Sequence, residues 1–431
     1  MAPTDATQDS KLPVYFFIQG GGFNTNSNPN INASGIILAA DMDLIVVTIN
    51  YRVGPYGFLT NADEITPNNG LRDQRKAMEW VQANIARFGG DPDRVVIGGT
   101  SAGAASVVLH LTAENGTDRG LFRGAIASSP SFASTLTIAQ SQYQYKQFAT
   151  RLGCAVKDSL ACLRGKTATE IQEQNFNIPL PGGAKPPLYQ WLPVLDFDFI
   201  SDYTYRAFKE GKFIHVPTIF GDDTNGGTTF APKNASTLAQ SNSFLLDQYP
   251  TLSLPQLGEI SDMYPNPNDT CPNTGCYWRQ ASNVYQEVRY MCPALHANAI
   301  MSASGLPSFA YQYNVEDPTQ VELGLGVPHT IDLEALIGAE YTDEAPESYK
   351  PGGINERATP VIQGYWTSFM RTLEPNKYRE KGTAEWKPWE GVKRQKRMVL
   401  GTGGATEMVD IGDGLRTRCE YWVRNGIDMM L

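Results

Sequence analysis

The pentapeptide GTSAG at positions 99–103 carries the residue with the clearest chemical potential, Ser101. It matches the pattern G-x-S-x-G, in which a sharp strand-to-helix turn exposes a serine hydroxyl that can attack a carbonyl carbon. Because small residues also cluster at ordinary turns, the motif is meaningful only if a strand precedes it and a helix follows it. Residues 94–98 (RVVIG) predict a buried strand, and residues 102–111 predict a helix. We therefore predict that Ser101 is a nucleophile and that the N–H of Ala102 stabilises a developing oxyanion.

A glycine-rich segment offers further donors for an oxyanion. Residues 14–19 predict an apolar strand, and the sequence GGGF at 20–23 follows it directly. Consecutive glycines leave backbone N–H groups uncovered, and such a loop supplies part of the oxyanion hole in some serine hydrolytic sites. A flexible turn is the alternative. No Gly-Lys-Ser/Thr follows, so this is not the pattern of a phosphate-binding loop. We predict that Gly21 and Gly22 complete the oxyanion hole.

Four histidines are available as general base. We expect His110 to be packed in the helix after the nucleophile, whereas His215 precedes a predicted strand and His296 lies in a helical stretch. His329 ends a glycine-rich loop (GLGVPH) after the predicted strand 309–314. A serine on a strand-to-helix turn is followed in chain order by an acid and then the histidine. A surface histidine is the alternative for each, but chain order favours His329.

Strand and helix signals alternate along the first quarter of the chain, which is typical of a parallel sheet with crossover helices. Apolar strand candidates lie at 14–19, 44–50, 94–98, 125–128, 218–221 and 309–314, and helices at 69–87 and 102–111. Since no repeat or linker divides the chain, we predict a single α/β domain over 1–431. The mixed pattern over about 136–290 predicts cap and gorge-wall insertions on the same sheet.

Composition argues against several kinds of function. The 431 residues are 41% hydrophobic and 19% charged, which supports a sizeable core, and the formal net charge of −10 argues against a nucleic-acid partner. The longest apolar runs, such as 36–40 and 44–49, are far too short to cross a bilayer. No C-x-x-C pair occurs, and nothing indicates a metal site or a redox group. We therefore predict no cofactor.

Cysteines and glycosylation sequons favour a secretory history. Cys154 and Cys162 bracket a short loop and predict a local disulfide, while the pairing of the other four cysteines stays open. Sequons begin at Asn32, Asn115, Asn234 and Asn268. In contrast, residues 1–11 are polar and do not form a signal peptide. The alternatives are therefore an intracellular protein or a missing natural start.

Many segments of the chain resemble the type-B carboxylesterase/lipase family, which includes cholinesterases and fungal lipases. The matching segments run in family order along nearly the whole chain, at 20–23 (GGGF), 50–54 (NYRVG), 57–59 (GFL), 70–74 (GLRDQ), 80–81 (WV), 88–92 (FGGDP), 100–106 (TSAGAAS), 121–122 (LF), 125–126 (AI), 193–196 (PVLD), the pair Cys154 and Cys162, and 366 through 376. The resemblance implies an α/β-hydrolase fold with helices on both faces of the sheet. It also implies hydrolysis of a small-molecule ester through an acyl-serine intermediate, in a secreted glycoprotein.

Three departures from the family pattern stand out. Thr100 replaces the usual Glu before the nucleophile, which should not abolish attack. The family begins well upstream of Lys11, and without its N-terminal strands the strand 44–50 would become a hydrophobic sheet edge that invites aggregation. The family's catalytic Glu falls at Gly226, within GDDTNGG at 221–227. The acid orients the imidazole and stabilises its protonated form, and losing the acid alone costs roughly 3 × 10⁴ in rate.

Two nearby carboxylates are candidates to replace the missing acid. Asp222 and Asp223 lie a few residues upstream on the same loop. Their alternative is a capping or turn role. Asp332 and Glu334 follow His329 too closely in the chain to be favoured.

Phe23 and Phe132 are candidates to line the substrate pocket, although most aromatic residues belong to the core. Two rival functions fit the chain. The first is an impaired or non-hydrolytic relative that uses its pocket for binding or for another reaction, as Gly226 suggests. The second is an interaction protein without catalysis, which the presence of Ser101 disfavours.

Overall fold

The computed structural model describes residues 1–26, 31–132, 134–266, 271, 273–391 and 395–431. Its strands are β1 (Leu12–Ile18), β2 (Ile45–Thr48), β3 (Gly90–Thr100), β4 (Gly124–Ser128), β5 (Thr218–Asp223), β6 (Ser308–Asn314), β7 (Lys396–Gly401) and β8 (Ala405–Asp410). They form an eight-stranded sheet in the order β2-β1-β3-β4-β5-β6-β7-β8. All neighbours are parallel except β7 and β8, which pair antiparallel.

The predicted α/β-hydrolase architecture, with a mostly parallel sheet, is confirmed. Each of the predicted strands overlaps an observed one, because strands buried on both faces are nearly continuous apolar runs. Along β1, Val14, Phe16 and Ile18 belong to one core cluster, and Tyr15 and Phe17 belong to another. Since successive side chains of a strand point to opposite faces, the two clusters lie on opposite faces of the sheet.

Helices cover both of these faces. They are α1 (Ser34–Ala39), α2 (Pro55–Phe58), α3 (Asn69–Asn84), α4 (Ala102–Gly116), α5 (Ile138–Arg151), α6 (Ser159–Arg164), α7 (Ala168–Glu173), α8 (Thr204–Lys209), α9 (Leu238–Gln248), α10 (Leu254–Met263), α11 (Trp278–Gln286), α12 (Cys292–Ala303), α13 (Pro318–Glu322), α14 (Ile331–Ile337), α15 (Ala358–Thr372) and α16 (Asp413–Asn425). Side chains of α3, α4, α11 and α12 join the cluster of Val14, and side chains of α1, α14 and α15 join the cluster of Tyr15.

The stretch 136–290 adds helices to this core. Helices α5 to α8 lie between β4 and β5, and α9 to α11 lie between β5 and β6. Because β5 itself pairs with β4 and β6, this stretch contains a central strand as well as helical additions. Disulfides join Cys154 to Cys162, as the sequence predicted, and also Cys271 to Cys276 and Cys292 to Cys419.

The segments that carry the candidate site residues follow parallel strands. The glycine loop follows β1, Ser101 follows β3, Gly226 comes three residues after β5, and His329 lies between β6 and α14. The carboxyl ends of parallel strands meet at one edge of a sheet, where open α/β folds usually bind their ligands. The topology therefore gathers these segments at one edge.

Candidate active site

Ser101 lies at a sharp turn between β3 and α4. Its backbone has φ 58° and ψ −122°, a conformation that costs roughly 1–3 kcal/mol in a residue with a side chain. The Ser101 N–H donates to the carbonyl oxygen of Ser128 (3.0 Å), which holds the turn against β4. The N–H of Ala102 is among the first of α4, and such groups have no acceptor within their helix. The strand–turn–helix arrangement that the motif requires is therefore present.

Two glycines allow this turn to form. A Cβ on Gly99 would lie 2.5 Å from the carbonyl carbon of Gly103, and a Cβ on Gly103 would overlap the carbonyl oxygen of Ile18. The first atom belongs to α4 and the second to β1, so neither can move away without disturbing the helix or the sheet. The ends of β1 and β3 therefore approach α4 so closely that only glycine fits at both positions.

The glycine-rich loop lies at the end of β1, the strand beside β3. Gly21 (φ 106°) and Gly22 (φ 62°) adopt conformations that favour glycine. The carbonyl oxygen of Gly21 accepts hydrogen bonds from the N–H groups of Asn24 and Thr25, each 3.0 Å long. A Cβ on Gly22 would overlap the Tyr189 ring. The loop is thus a tight turn whose shape depends on both glycines.

His329 lies between two aromatic rings. Tyr290 stacks on it at 4.3 Å between ring centroids, and Phe230 packs edge-on at 5.2 Å. Both ring nitrogens are buried, and neither has a hydrogen-bond partner among the described residues, Ser101 included. Burial lowers the pKa of His329 from 6.5 to about 3, and the positive charge of Arg289 acts in the same direction. The imidazole is therefore neutral at pH 7 and can accept a proton, but its protonated form is strongly disfavoured.

Gly226 lies beside this imidazole. A Cβ placed on it would lie 3.8 Å from Nδ1 of His329 and would meet no other atom closer than 3.7 Å. These are ordinary van der Waals distances, so a side chain can begin here without displacing its neighbours. In a serine–histidine–acid triad, Nδ1 is the nitrogen that the acid contacts. Position 226 is therefore adjacent to the atom that a third triad member would reach.

Comparison with known proteins identifies the family of the chain. The model of the Carboxylesterase family matches residues 1–422. This chain belongs to the carboxylesterase family. Its structure is similar to that of EstA from Aspergillus niger, with a TM-score of 0.94 and 37% identity, covering 100% of this chain and 83% of EstA. Carboxylic ester hydrolysis is therefore the general activity of this chain.

Two fungal lipases are among the relatives of this carboxylesterase. Secreted lipase 4 of Gibberella zeae is 29% identical over 96% of this chain and 75% of that lipase. Lipase 1 of Geotrichum candidum is 36% identical over 61% of this chain and 50% of that lipase. The second similarity thus spans about half the length of the relative.

In this carboxylesterase, Asp223 binds the backbone just after the candidate base. Its carboxylate accepts hydrogen bonds from the N–H of Thr330 (2.9 Å), the hydroxyl of Ser129 (3.1 Å) and the N–H of Asp332 (3.3 Å). Burial raises the pKa of Asp223 well above its usual range, and the charge of Asp332 raises it further. Asp223 therefore fixes the loop that carries His329 without contacting the imidazole.

Asp222 points away from this loop, because neighbouring residues of a strand face opposite sides. One of its oxygens accepts a 3.3 Å hydrogen bond from Gln286, whose amide also donates to the carbonyl oxygens of Asp223 (2.9 Å) and Thr224 (2.7 Å). Burial raises the pKa of Asp222 to about 7. Since the His329 nitrogens have no partner in the described part of the chain, neither Asp222 nor Asp223 bonds to the base here.

Asn24 is a positioning residue that the sequence analysis missed. Its amide nitrogen donates to the carbonyl oxygens of Gly22 (2.6 Å) and Trp191 (2.8 Å). Its amide oxygen accepts from the N–H groups of Gln190 (3.1 Å) and Trp191 (2.9 Å). Three hydrogen bonds thus tie the glycine loop to a segment far away in the chain, and the fourth holds Gly22 within the loop. An asparagine directly after GGGF was the available signal, because its amide can donate and accept at once.

Phe23 and Phe132 both border a narrow space of about 10 Å³ beside the turn of Ser101. Phe23 packs edge-on against Phe58 at 5.1 Å between ring centroids, and Phe132 packs against Tyr205 at 5.2 Å. Ala105, which donates its N–H to the carbonyl oxygen of Ser101, lines the same space. Both phenylalanines are therefore close to the turn and largely buried.

Two further observations concern all of the described residues. No three His, Cys, Asp or Glu side chains lie close enough together to hold a metal ion within the described ranges. None of the described helices is both long and apolar enough to span a bilayer.

Proposed function

We propose that this carboxylesterase acts by acyl transfer through Ser101. The Ser101 hydroxyl attacks the carbonyl carbon of a carboxylic ester, and His329 takes its proton. The N–H groups of Gly21, Gly22 and Ala102 stabilise the oxyanion of the tetrahedral intermediate. His329 then gives the proton to the leaving alcohol. In the second half of the reaction, water attacks the acyl-serine, and His329 takes a proton from the water and returns it to Ser101. The observation that carries this proposal is the φ 58°, ψ −122° turn that presents Ser101 between β3 and α4.

The proposal includes a weakened base. A triad acid stabilises the imidazolium that forms during attack, and position 226 offers no carboxylate. Burial and the nearby Arg289 further disfavour a charged His329. Losing only the acid of a triad costs roughly 3 × 10⁴ in rate, but the remaining groups keep activity above background. We therefore infer a slow esterase. A substitute role for Asp222 or Asp223 would need the loop to rearrange, since both have other partners.

A second candidate function is a non-hydrolytic pocket. It is favoured by one observation, the absence of any hydrogen bond to either nitrogen of His329 from the described residues. In this alternative, the site binds a small molecule or promotes another reaction. Catalytic hydrogen bonds often tighten only when substrate binds, so the acyl-transfer proposal remains the better supported one.

The substrate class and the compartment are also part of the proposal. Relatives named as secreted lipases favour uncharged carboxylic esters as substrates and passage through the secretory pathway. Disulfides agree with an oxidising compartment. The sequon residues Asn32, Asn115 and Asn234 are exposed and can accept glycans, whereas Asn268 lies outside the described residues. We propose a secreted glycoprotein.

Hydrolysis of p-nitrophenyl butyrate by the purified protein tests the proposal. We expect slow turnover in the wild type, none above background in Ser101→Ala, and a large loss in His329→Gln. Labelling of Ser101 by phenylmethylsulfonyl fluoride or by a fluorophosphonate should block the activity. Turnover that survives Ser101→Ala unchanged would overturn the acyl-transfer mechanism. A well-folded wild type that neither hydrolyses the ester nor reacts with the phosphonate would favour the non-hydrolytic pocket.

A further inference from the structure

A second cavity lies away from the nucleophile, between α12 and α16. Its volume is about 440 Å³, within the range of small-molecule sites. Its apolar wall is formed by Leu295, Ala299, Trp389, Ile411, Val423 and Ile427. The Cys292–Cys419 disulfide, which joins the two helices, forms part of the same wall. Ser101 and His329 do not line it, so this space is separate from the proposed catalytic site.

The cavity has a basic rim on an acidic protein. Lys209, Arg416 and Arg424 line it together with one acid, Glu420, whereas the whole chain has a net charge of −10. Arg416 pairs with Asp413 (2.9 Å). Lys209 and Arg424 are exposed, and within the described ranges neither forms an ion pair. Two cations are thus available to an anion at the mouth of an apolar space.

Three residues of the cavity wall carry polar atoms that are turned away from the cavity surface. Nε2 of His296, the hydroxyl of Tyr205 and Nε1 of Trp389 are buried without a hydrogen-bond partner in the described part of the molecule. All three residues line the cavity. Burial lowers the pKa of His296 to about 4, so it is neutral at pH 7 and does not repel a cationic rim or bind an anion by charge. These three atoms are buried, so they lie behind the surface that the cavity presents and do not make it polar.

We propose that this cavity binds a medium-chain carboxylate, with the alkyl chain on the apolar wall and the carboxylate between Lys209 and Arg424. An apolar lining fits the chain, and the available rim cations fit the head group. If the proposed function holds, such carboxylates are also products of the reaction. Tyr205 lies between the cavity and the turn of Ser101. It lines the cavity, and its ring packs on Phe132 at 5.2 Å between centroids. Binding itself does not depend on catalysis.

Titration calorimetry with octanoate, compared with octanol, tests this proposal. We expect one octanoate site per chain, weakened by salt, and at least tenfold weaker binding of octanol, because exposed cations contribute a screened attraction. Lys209→Gln/Arg424→Gln should weaken octanoate binding at least tenfold. A charge-matched control, Arg87→Gln/Lys381→Gln, changes exposed cations elsewhere and should leave binding unchanged.

A second variant tests the location. Ala299→Trp fills the cavity from α12 and should abolish octanoate binding, while Ser101→Ala should bind octanoate like the wild type. Equal binding by wild type, the rim double variant and Ala299→Trp would overturn the proposal. Octanol binding as tight as octanoate binding would overturn the carboxylate assignment. Because this readout needs no turnover, an inactive enzyme that binds octanoate would separate a failure of the catalytic proposal from a failure of this one.

Discussion

A Cβ atom placed on Gly226 would lie 3.8 Å from Nδ1 of His329, and no other atom would be closer than 3.7 Å. Around this contact the chain keeps the turn of Ser101 and the glycine loop, while His329 is held between Tyr290 and Phe230. The turn of Ser101 and the glycine loop are therefore in place, but no described residue forms a hydrogen bond with the imidazole.

Restoring a carboxylate beside His329 should restore catalytic power. We expect Gly226→Glu to raise kcat by about 10³–10⁴, because the acid stabilises the imidazolium formed during attack. The acid limb of the plot of kcat/KM against pH should also shift to higher pH. Burial now holds the pKa of His329 at about 3, and a nearby carboxylate would raise it. Stopped-assay kinetics from pH 4 to pH 9 measure both effects. Gly226→Gln is the matched control, and an equal gain in that variant would show that packing, not charge, matters.

Asn24 should determine how well the oxyanion loop is held. Asn24→Ala removes three hydrogen bonds between the loop and residues 190–191, and also the 2.6 Å bond to Gly22 within the loop. We expect kcat to fall at least tenfold with a smaller change in KM, because losing one oxyanion donor costs about 10²–10³. Thermal unfolding and ester kinetics are measured together. A variant that loses stability but keeps kcat would show that Asn24 has only a structural role.

Asp222 should make stability depend on pH. Burial raises its pKa to about 7, so the folded protein binds this proton more tightly than the unfolded chain, whose Asp has a pKa of about 3.9. The folded state is therefore favoured by this group at low pH, and that contribution is lost as pH rises from about 4 to about 7. Asp222→Asn should gain stability relative to wild type across this window.

Urea unfolding at several pH values from 4 to 8 measures the difference between the Asp222→Asn variant and the wild type. The exposed Asp63→Asn substitution controls for the general effect of losing a carboxyl. A difference that stays constant with pH would contradict a buried titration at Asp222.

Phe132 should limit the length of the acyl group. It borders a space of only about 10 Å³ beside the Ser101 turn. Phe132→Ala should open this space, so the ratio of kcat/KM for p-nitrophenyl octanoate to that for the acetate should rise at least tenfold. Phe58→Leu changes the packing of Phe23 without opening the same wall and serves as the control. An unchanged ratio in Phe132→Ala would remove Phe132 from the acyl site.

Much of the fold could be predicted from the sequence, because buried parallel strands are short, continuous apolar runs. The hairpin of β7 and β8 was not predicted, because its strands lack such runs. Their sequences are KRMVLG and ATEMVD, and all six β8 residues are exposed or only partly buried. A half-exposed antiparallel pair at the sheet edge has little of the apolar signal that marked the central strands.

In the site, local features could be predicted from the sequence, whereas contacts between distant segments could not. The turn of Ser101 and the glycine loop are local, so a few consecutive residues specify them. The contacts of Asn24 with Gln190 and Trp191 and the bond between Cys292 and Cys419 join segments distant in the chain. No local pattern marks such partners, since six cysteines alone allow 15 pairings. The packing of Tyr290 and Phe230 on His329 is equally non-local, and with it the low pKa of the base.

Intact-protein mass spectrometry during turnover of p-nitrophenyl butyrate is the most direct test of the acyl-serine mechanism. Since hydrolysis of the acyl-enzyme by water needs the weakened base, we expect the acyl-enzyme to be detectable after acid quenching. We predict one butyryl group per chain, located on the peptide containing Ser101, that is absent in Ser101→Ala and decays faster in Gly226→Glu. Hydrolysis without any adduct, at the same rate in Ser101→Ala, would rule out the acyl-serine mechanism.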